Sequence, residues 1–339
     1  MKQVNRESNF ELLRIICMVL IVVYHFSVHG GYYSVAEGTL PFNSVIIDLF
    51  GLGGRLGVNV FVLISGFFLI NSKFKPKKLL SLFIQVWFFS ISIYLIFLIS
   101  GGISFSWESL LCNIFPVVTA QYWFITTYIG LYLLSPFLNK FLKKLTKQQH
   151  LLFILLLILF CVSINNITSI GYDFGIVWFI ALYAISAYIR LHQSKVFDNK
   201  KLCIITIIIT FCMFFFGKVF LDLVLFEMKN LTCLISAIAI FCFFKNLKIK
   251  HNPSINTIAA ATFGVYLIHD NPIVRNWLWT DFLHCPEYAT QDGFLIFAIL
   301  TLVALYILFT FIEILRSKLF SKISKSFKNK IAFKNKTIE

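Results

Sequence analysis

The sequence predicts an all-α polytopic membrane protein, a bundle of about ten transmembrane helices with both termini cytoplasmic, and three observations carry that expectation. The first is composition. Of 339 residues, 59% are hydrophobic and only 13% charged, with a mean hydropathy of +0.84, too little polar surface for a soluble fold. The second is length, because about ten apolar stretches suit a hydrocarbon layer of about 30 Å. The third is the placement of Lys and Arg, which crowd into every second loop, as the positive-inside rule asks of cytoplasmic loops.

Taken in order, the stretches fall at about residues 10–28, 57–71, 79–100, 122–139, 150–167, 174–191, 202–222, 230–247, 258–279 and 293–315, the second being the shortest. Lys2 and Arg6 precede the first; Lys73, Lys75, Lys77 and Lys78 follow the second; Lys140, Lys143, Lys144 and Lys147 follow the fourth. Lys195, Lys200 and Lys201 follow the sixth, Lys245, Lys248 and Lys250 the eighth, and eight basic residues run from Arg316 to Lys336 after the tenth. The intervening loops are poor in charge: Arg55, Lys218 and Lys229 lie in or beside them, and 101–121 and 165–173 have no basic residue. This puts His29 to Leu56 outside, with an interfacial segment around Phe42 to Leu52, and a multi-pass chain in the plasma membrane. Residues 1–320 read as one transmembrane domain and 321–339 as a basic cytoplasmic tail lying beside anionic lipid.

The first stretch is the unusual one, since it carries Glu11, Arg14 and His25 inside an apolar run. Each ionisable residue near mid-bilayer costs roughly 2.5–3.5 kcal/mol, which invites a functional reading. At about 100° per residue, Arg14 and His25 differ by roughly 20° around a helix and Glu11 and His25 by roughly 40°, so all three share one stripe. Along the axis Arg14 and His25 are roughly 16 Å apart, while Glu11 and Arg14 form an i, i+3 pair. Any group that orients the His25 ring must therefore come from another helix. In the competing reading Arg14 snorkels to water beside Glu11 and His25 hydrogen-bonds inside a bundle; the shared stripe favours function.

Other classes are disfavoured. The net charge of +15 sits in short loops and no nucleic-acid motif accompanies it, so no nucleic-acid partner is expected. Six of eight cysteines lie in apolar runs; Cys112 and Cys285 lie in outer loops, where a disulfide between them has little support. His284 beside Cys285 resembles half a metal site with no second cluster at ligand spacing, so no metal is expected.

An Arg and a His separated by ten residues in the first helix, with an acidic residue three before the Arg, resemble the signature of the acyltransferase-3 family of integral-membrane acyltransferases. The resemblance continues through G-V-N-V-F-V-L-I-S-G-F-F-L-I (57–70), Q-Y-W-F-I-T-T-Y-I-G-L-Y-L-L-S-P-F (121–137), I-S-A-Y-I-R (185–190) and F-G-V-Y-L-I-H (263–269), in order across nearly the whole chain. It departs after the second helix, where the family commonly has arginines and this chain has lysines, and at Phe61-Val62, where the family pattern often has a larger aromatic pair.

The resemblance implies O-acyl transfer, usually of acetyl, from cytoplasmic acyl-coenzyme A, a donor substrate and not a resident cofactor. The acceptor it implies is a hydroxyl of a surface or exopolysaccharide precursor, as glycan or lipid-linked glycan. His25 is then the candidate general base, and Arg14 with Glu11, Lys77 and Lys78 the candidate donor site, cations that suit phosphate. Asn59, Ser65, Trp123 and His269 are candidate active-site lining, with His269 and Ser65 expected at the depth of His25. Each has a plainer alternative: the Lys73–Lys78 run as a topology signal, Asn59 as a helix bridge, Ser65-Gly66 as close packing, and His269-Asp270-Asn271-Pro272 as a helix end. The competing function is a polytopic transporter, glycan flippase or polymerase without acyl transfer; such transporters often carry internal repeats, and the two halves of this chain show no self-similarity.

Overall fold

A computed structural model describes residues 7–167, 175–221 and 227–336, and among them every regular element is helical. The helices are α1 (Ser8–His29), α2 (Pro41–Phe50), α3 (Gly53–Leu69), α4 (Pro76–Ile99), α5 (Trp107–Ile114), α6 (Trp123–Leu142), α7 (Lys147–Ile167) and α8 (Gly175–Leu191). They continue with α9 (Lys195–Asp198), α10 (Lys200–Leu221), α11 (Leu231–Lys245), α12 (Pro253–His269), α13 (Pro272–Asn276), α14 (Cys285–Ala289) and α15 (Phe294–Lys336). Each of the ten apolar stretches has a helix on it, and among the described residues five helical segments are long and apolar enough to cross a membrane by themselves: those at Ser8–His29, Pro41–Leu69, Pro76–Ile99, Lys200–Lys218 and Phe294–Ser324. Lys2, Arg6 and most of the 165–173 loop lie outside the described residues.

Burial is inverted relative to a water-soluble protein. Leu151, Leu155 and Leu159 on α7, Ile204, Ile208, Phe211 and Phe215 on α10, and Ile296, Leu300, Val303 and Ile307 on α15 are exposed apolar rows, whereas Asn59, Ser90, His269 and Asn271 are fully enclosed. Rows of that size suit lipid, and the enclosed polar groups need partners from neighbouring helices. The inner set is α1, α3, α8 and α12: α3 packs between α1 and α8, α12 covers another flank of α1, and α15 lies on α12.

The α1–α3 seam depends on a small side chain. A Cβ at Gly57 would stand 2.8 Å from the Cys17 carbonyl oxygen, a distance at which the backbones would have to separate. The two helices are antiparallel, because the ring centre of Phe67, near the far end of α3, lies 5.4 Å from that of Phe10 at the start of α1. Ser8 and Asn9 fasten that same end: Ser8 Oγ donates to Asn256 Oδ1 at 3.1 Å and Asn9 Nδ2 to the Phe244 carbonyl at 3.0 Å. The lysine-rich loops after α3, α6, α8 and α11 therefore gather with Arg14 at one end of the bundle.

Two expectations change, at the ninth and tenth stretches. The ninth stretch, 258–279, is not one helix. Asn252 caps the start of α12, accepting from the Ser254 and Ile255 amides, but Pro272 lacks an amide proton and holds Asn271 extended at ψ 130°, so α12 stops at His269. A short α13 and a wide turn over Trp277–Phe282 follow. The tenth stretch overshoots 315, since α15 runs on through the basic residues to Lys336. All eight cysteines are free; Cys285 is enclosed, its thiol pushed up to about 12 by burial, and no bond joins it to Cys112.

Candidate active site

His25 sits on the last turns of α1, where the Tyr24–Gly54 seam brings α3 close, and its ring is met from the other flank by the end of α12. The orienting group does come from another helix. His25 Nδ1 lies 2.9 Å from His269 Nε2, and His269 Nδ1 lies 2.6 Å from the Val265 carbonyl oxygen. A carbonyl can only accept, so His269 Nδ1 carries a proton, and in a neutral ring its Nε2 then accepts. His25 must donate from Nδ1. The chain Val265–His269–His25 thus fixes the tautomer and leaves the lone pair of His25 on Nε2.

The helix break supplies the surrounding charge. Asp270, the residue after α12, places Oδ1 at 3.6 Å from His25 Nδ1 and 2.9 Å from Arg275 Nη2, and Arg275 also donates to the Asp270 carbonyl at 3.0 Å. Next to it Asn271 Nδ2 donates to Tyr122 Oη at 2.7 Å, and Tyr122 donates to the Leu267 carbonyl at 3.1 Å, which pins the break to the start of α6. His29, one turn past His25, brings its ring to 5.2 Å. Ligand atoms of His25, His29 and Asp270 lie within 4.8 Å of one another, a spacing that suits a metal ion; His25 Nδ1 is taken by His269 and Asp270 Oδ1 by Arg275, while His25 Nε2 and Asp270 Oδ2 are not so engaged.

His25 forms part of the wall of a cavity of about 470 Å³. The walls are Met18, Ile21, Val58, Phe61, Phe124, Thr262, Phe263 and Tyr266, with Trp123 and Tyr24 nearer a rim that holds Arg55, Glu227 and Lys229. Its floor at Met18 is one helical turn, about 6 Å, from Arg14.

The other sequence candidates divide. Arg14 Nη1 pairs with Glu11 Oε1 at 2.9 Å, with Glu11 enclosed and Arg14 partly exposed, at the end opposite His25. Lys77 and Lys78 are exposed at the start of α4, and Lys78 lies 5.4 Å over the Tyr132 ring; neither touches Arg14. Trp123 lines the cavity and is 38% exposed. His269 supports His25 from behind and does not line the cavity. Asn59 does not line it either: its amide donates to the Met228 carbonyl at 2.9 Å and its oxygen accepts from Trp178 Nε1 at 2.9 Å, bridging α3 to α8 and the α11 entry. Ser65 is placed differently from its expected depth. Because α3 already begins at Gly53, level with Leu20 and Tyr24, Ser65 falls near Phe10 and Phe67 at the Arg14 end, and neighbouring Gly66 presses on α8, where a Cβ would meet Ser186 Oγ at 2.2 Å.

Asp270, Arg275, Arg55 and Glu227 were not singled out from the sequence. A signal existed for the first pair, since Arg275 follows Asp270 by five positions across a proline break; Arg55 and Glu227 are 172 positions apart and only the fold joins them.

An all-helical membrane protein with a tautomer-fixed histidine in the wall of an apolar cavity suits a membrane-embedded enzyme better than a scaffold. A family model described as an acyltransferase domain matches residues 7–313, so the chain belongs to the acyltransferase-3 family and is a membrane acyltransferase. No curated protein and no solved structure matches the chain.

Proposed function

We propose that this acyltransferase moves an acetyl group from cytoplasmic acyl-coenzyme A to a hydroxyl of a cell-surface or exopolysaccharide precursor, with His25 as general base. The observation that carries the reading is the Val265–His269–His25 chain, which leaves a lone pair on His25 Nε2 in the wall of a cavity. In the reaction the acceptor oxygen attacks the thioester carbonyl while His25 Nε2 takes its proton. The carbon–sulfur bond then breaks, and the proton passes from His25 to the departing thiolate. Asp270, 3.6 Å from Nδ1, faces the imidazolium formed in between and favours it.

The chain crosses the plasma membrane ten times with both ends inside, residues 1–320 forming the catalytic domain and 321–339 a basic tail. Arg14 then lies at the cytoplasmic end, where its fork, steadied by Glu11, suits a coenzyme A phosphate, with Lys77 and Lys78 on the same side. The one-turn gap between Arg14 and the cavity floor supports a donor arm that reaches up toward His25. Membranes containing the protein, given acetyl-labelled acetyl-coenzyme A, should release coenzyme A and move label into glycan. Intact acetyl-coenzyme A, with glycan crossing the bilayer, would instead identify a transporter or flippase.

A further inference from the structure

The cavity has two distinct zones. Around and below His25 its wall is aliphatic and aromatic, but at the mouth it carries an Arg55–Glu227 ion pair, each side chain about two-fifths exposed (39% and 41%). Arg55 is further held by Tyr24, the residue before His25 in sequence: its Nε donates to Tyr24 Oη at 3.3 Å and its guanidinium lies 5.8 Å from the Tyr24 ring centre. These contacts fix the guanidinium against Tyr24, in the lining that the pair shares with His25, while leaving the pair about two-fifths exposed.

Trp123 supplies the other half. It opens α6 next to Phe124 and Phe179, with ring centres 6.0 and 6.4 Å away, yet stays 38% exposed at the cavity rim. An indole braced by two rings and left uncovered offers a flat apolar face with negative quadrupole, which suits the C–H face of a saturated ring. A braced Arg–Glu pair offers N–H donors and carboxylate acceptors side by side, which suits neighbouring hydroxyls that both donate and accept. An alkyl alcohol or a fatty chain would use neither feature, and the linear donor arm has no ring to stack. A volume of about 470 Å³ is within the few-hundred-Å³ range of small-molecule sites.

We infer that the mouth is a sugar subsite, in which Trp123 stacks on a pyranose ring and the Arg55–Glu227 pair clamps hydroxyls of that ring, so that another hydroxyl of the same sugar reaches His25. The inference deepens the acyl-transfer reading and rests on it for the role of His25; the binding site itself stands on the geometry of the mouth. A free sugar and a lipid-linked sugar present the same ring, and the assay separates them.

The test is equilibrium dialysis of the full chain in phospholipid nanodiscs, without donor. The probes are labelled methyl and octyl β-pyranosides of glucose, galactose and N-acetylglucosamine, with octanol as the control. At least one sugar should bind fivefold or more tighter than octanol predicts, and Trp123→Ala and Glu227→Gln should each weaken it at least tenfold. Equal affinity of methyl and octyl forms supports a free-sugar acceptor, and preference for the octyl form a lipid-linked one. Arg55→Lys, which keeps the charge but not the fork, should weaken binding in parallel and serves where Glu227→Gln lowers the amount of folded protein. If no pyranoside exceeds octanol, or if Trp123→Ala and Arg55→Lys both bind within twofold of the parent, the subsite is overturned. Because binding is read without turnover, that failure leaves acyl transfer standing. Absence of acetyl transfer from active-site-intact protein would refute the acyl-transfer reading and leave the sugar site standing.

Discussion

Replacing His269 by Phe removes the nitrogen that accepts from His25 Nδ1 and keeps a planar ring in a fully enclosed position. His25 then has no acceptor at 2.9 Å; Asp270 Oδ1 stands at 3.6 Å, beyond good hydrogen-bond range and already engaged by Arg275. Losing a partner for a buried polar group costs about 1–3 kcal/mol, and at about 1.4 kcal/mol per tenfold this is roughly 5–150-fold if it falls on the transition state. Where the ring also loses its tautomer, the ceiling is about 10⁴-fold, the penalty for a misdirected catalytic imidazole. The expected fall in kcat for His269→Phe is therefore about 10–10³-fold. His269→Gln keeps an oxygen able to accept from His25 and should stay within about tenfold. The assay is the initial rate of label transfer from acetyl-coenzyme A by protein in vesicles, at equal folded amount, with the donor KM measured alongside. Arg14 lies near the opposite end of α1, so the donor KM should move less than threefold. A His269→Phe protein that transfers within threefold of the parent would refute the tautomer argument.

Further outcomes follow from the same geometry. Reporter fusions in the 101–121 segment should report the outside, and a cytoplasmic signal there would overturn the orientation and put His25 on the wrong side for this mechanism. Arg14→Lys should weaken acetyl-coenzyme A binding to purified protein, because an ammonium keeps the charge and loses the planar fork; unchanged affinity with lower turnover would move Arg14 to folding or to the acceptor. Gly57→Val should lower the unfolding midpoint and the folded yield, since its Cβ would stand 2.8 Å from the Cys17 carbonyl; a fully stable Gly57→Val protein would show that the α1–α3 seam is looser than described. Cys285, enclosed and with its thiol pushed up to about 12, should resist a water-soluble maleimide at pH 8 until the protein is unfolded, and ready labelling in the folded state would contradict its burial.

How much was legible in the sequence depended on whether a signal was local. Arg14, Glu11 and His25 lie on one helix, and a fixed rise and rotation per residue place them on a stripe without knowledge of any neighbour. The requirement that His25 be oriented from another helix followed from the same arithmetic, and His269 meets it. Depth on different helices was less legible. Ser65 came out near Arg14 because α3 begins at Gly53, one turn earlier than its apolar run, and hydropathy does not see where a glycine-rich helix starts. Asn59 was readable only as polar; that Met228 and Trp178 would absorb its amide depended on pairings across 119 and 169 positions. The proline break after His269 was visible, but whether it ended a helix or built a site could not be separated, since it does both.

The claim at the centre is that His25 takes the acceptor proton. His25→Gln keeps hydrogen bonding and most of the volume but cannot accept that proton, and with Arg14 roughly 16 Å away donor binding should survive. At equal membrane abundance and with acetyl-coenzyme A affinity unchanged, acetyl transfer to surface glycan should fall about 10²–10⁴-fold, or about 2.7–5.4 kcal/mol of barrier. Transfer by His25→Gln within a fewfold of the parent would contradict the account and make the histidine a structural residue of the bundle.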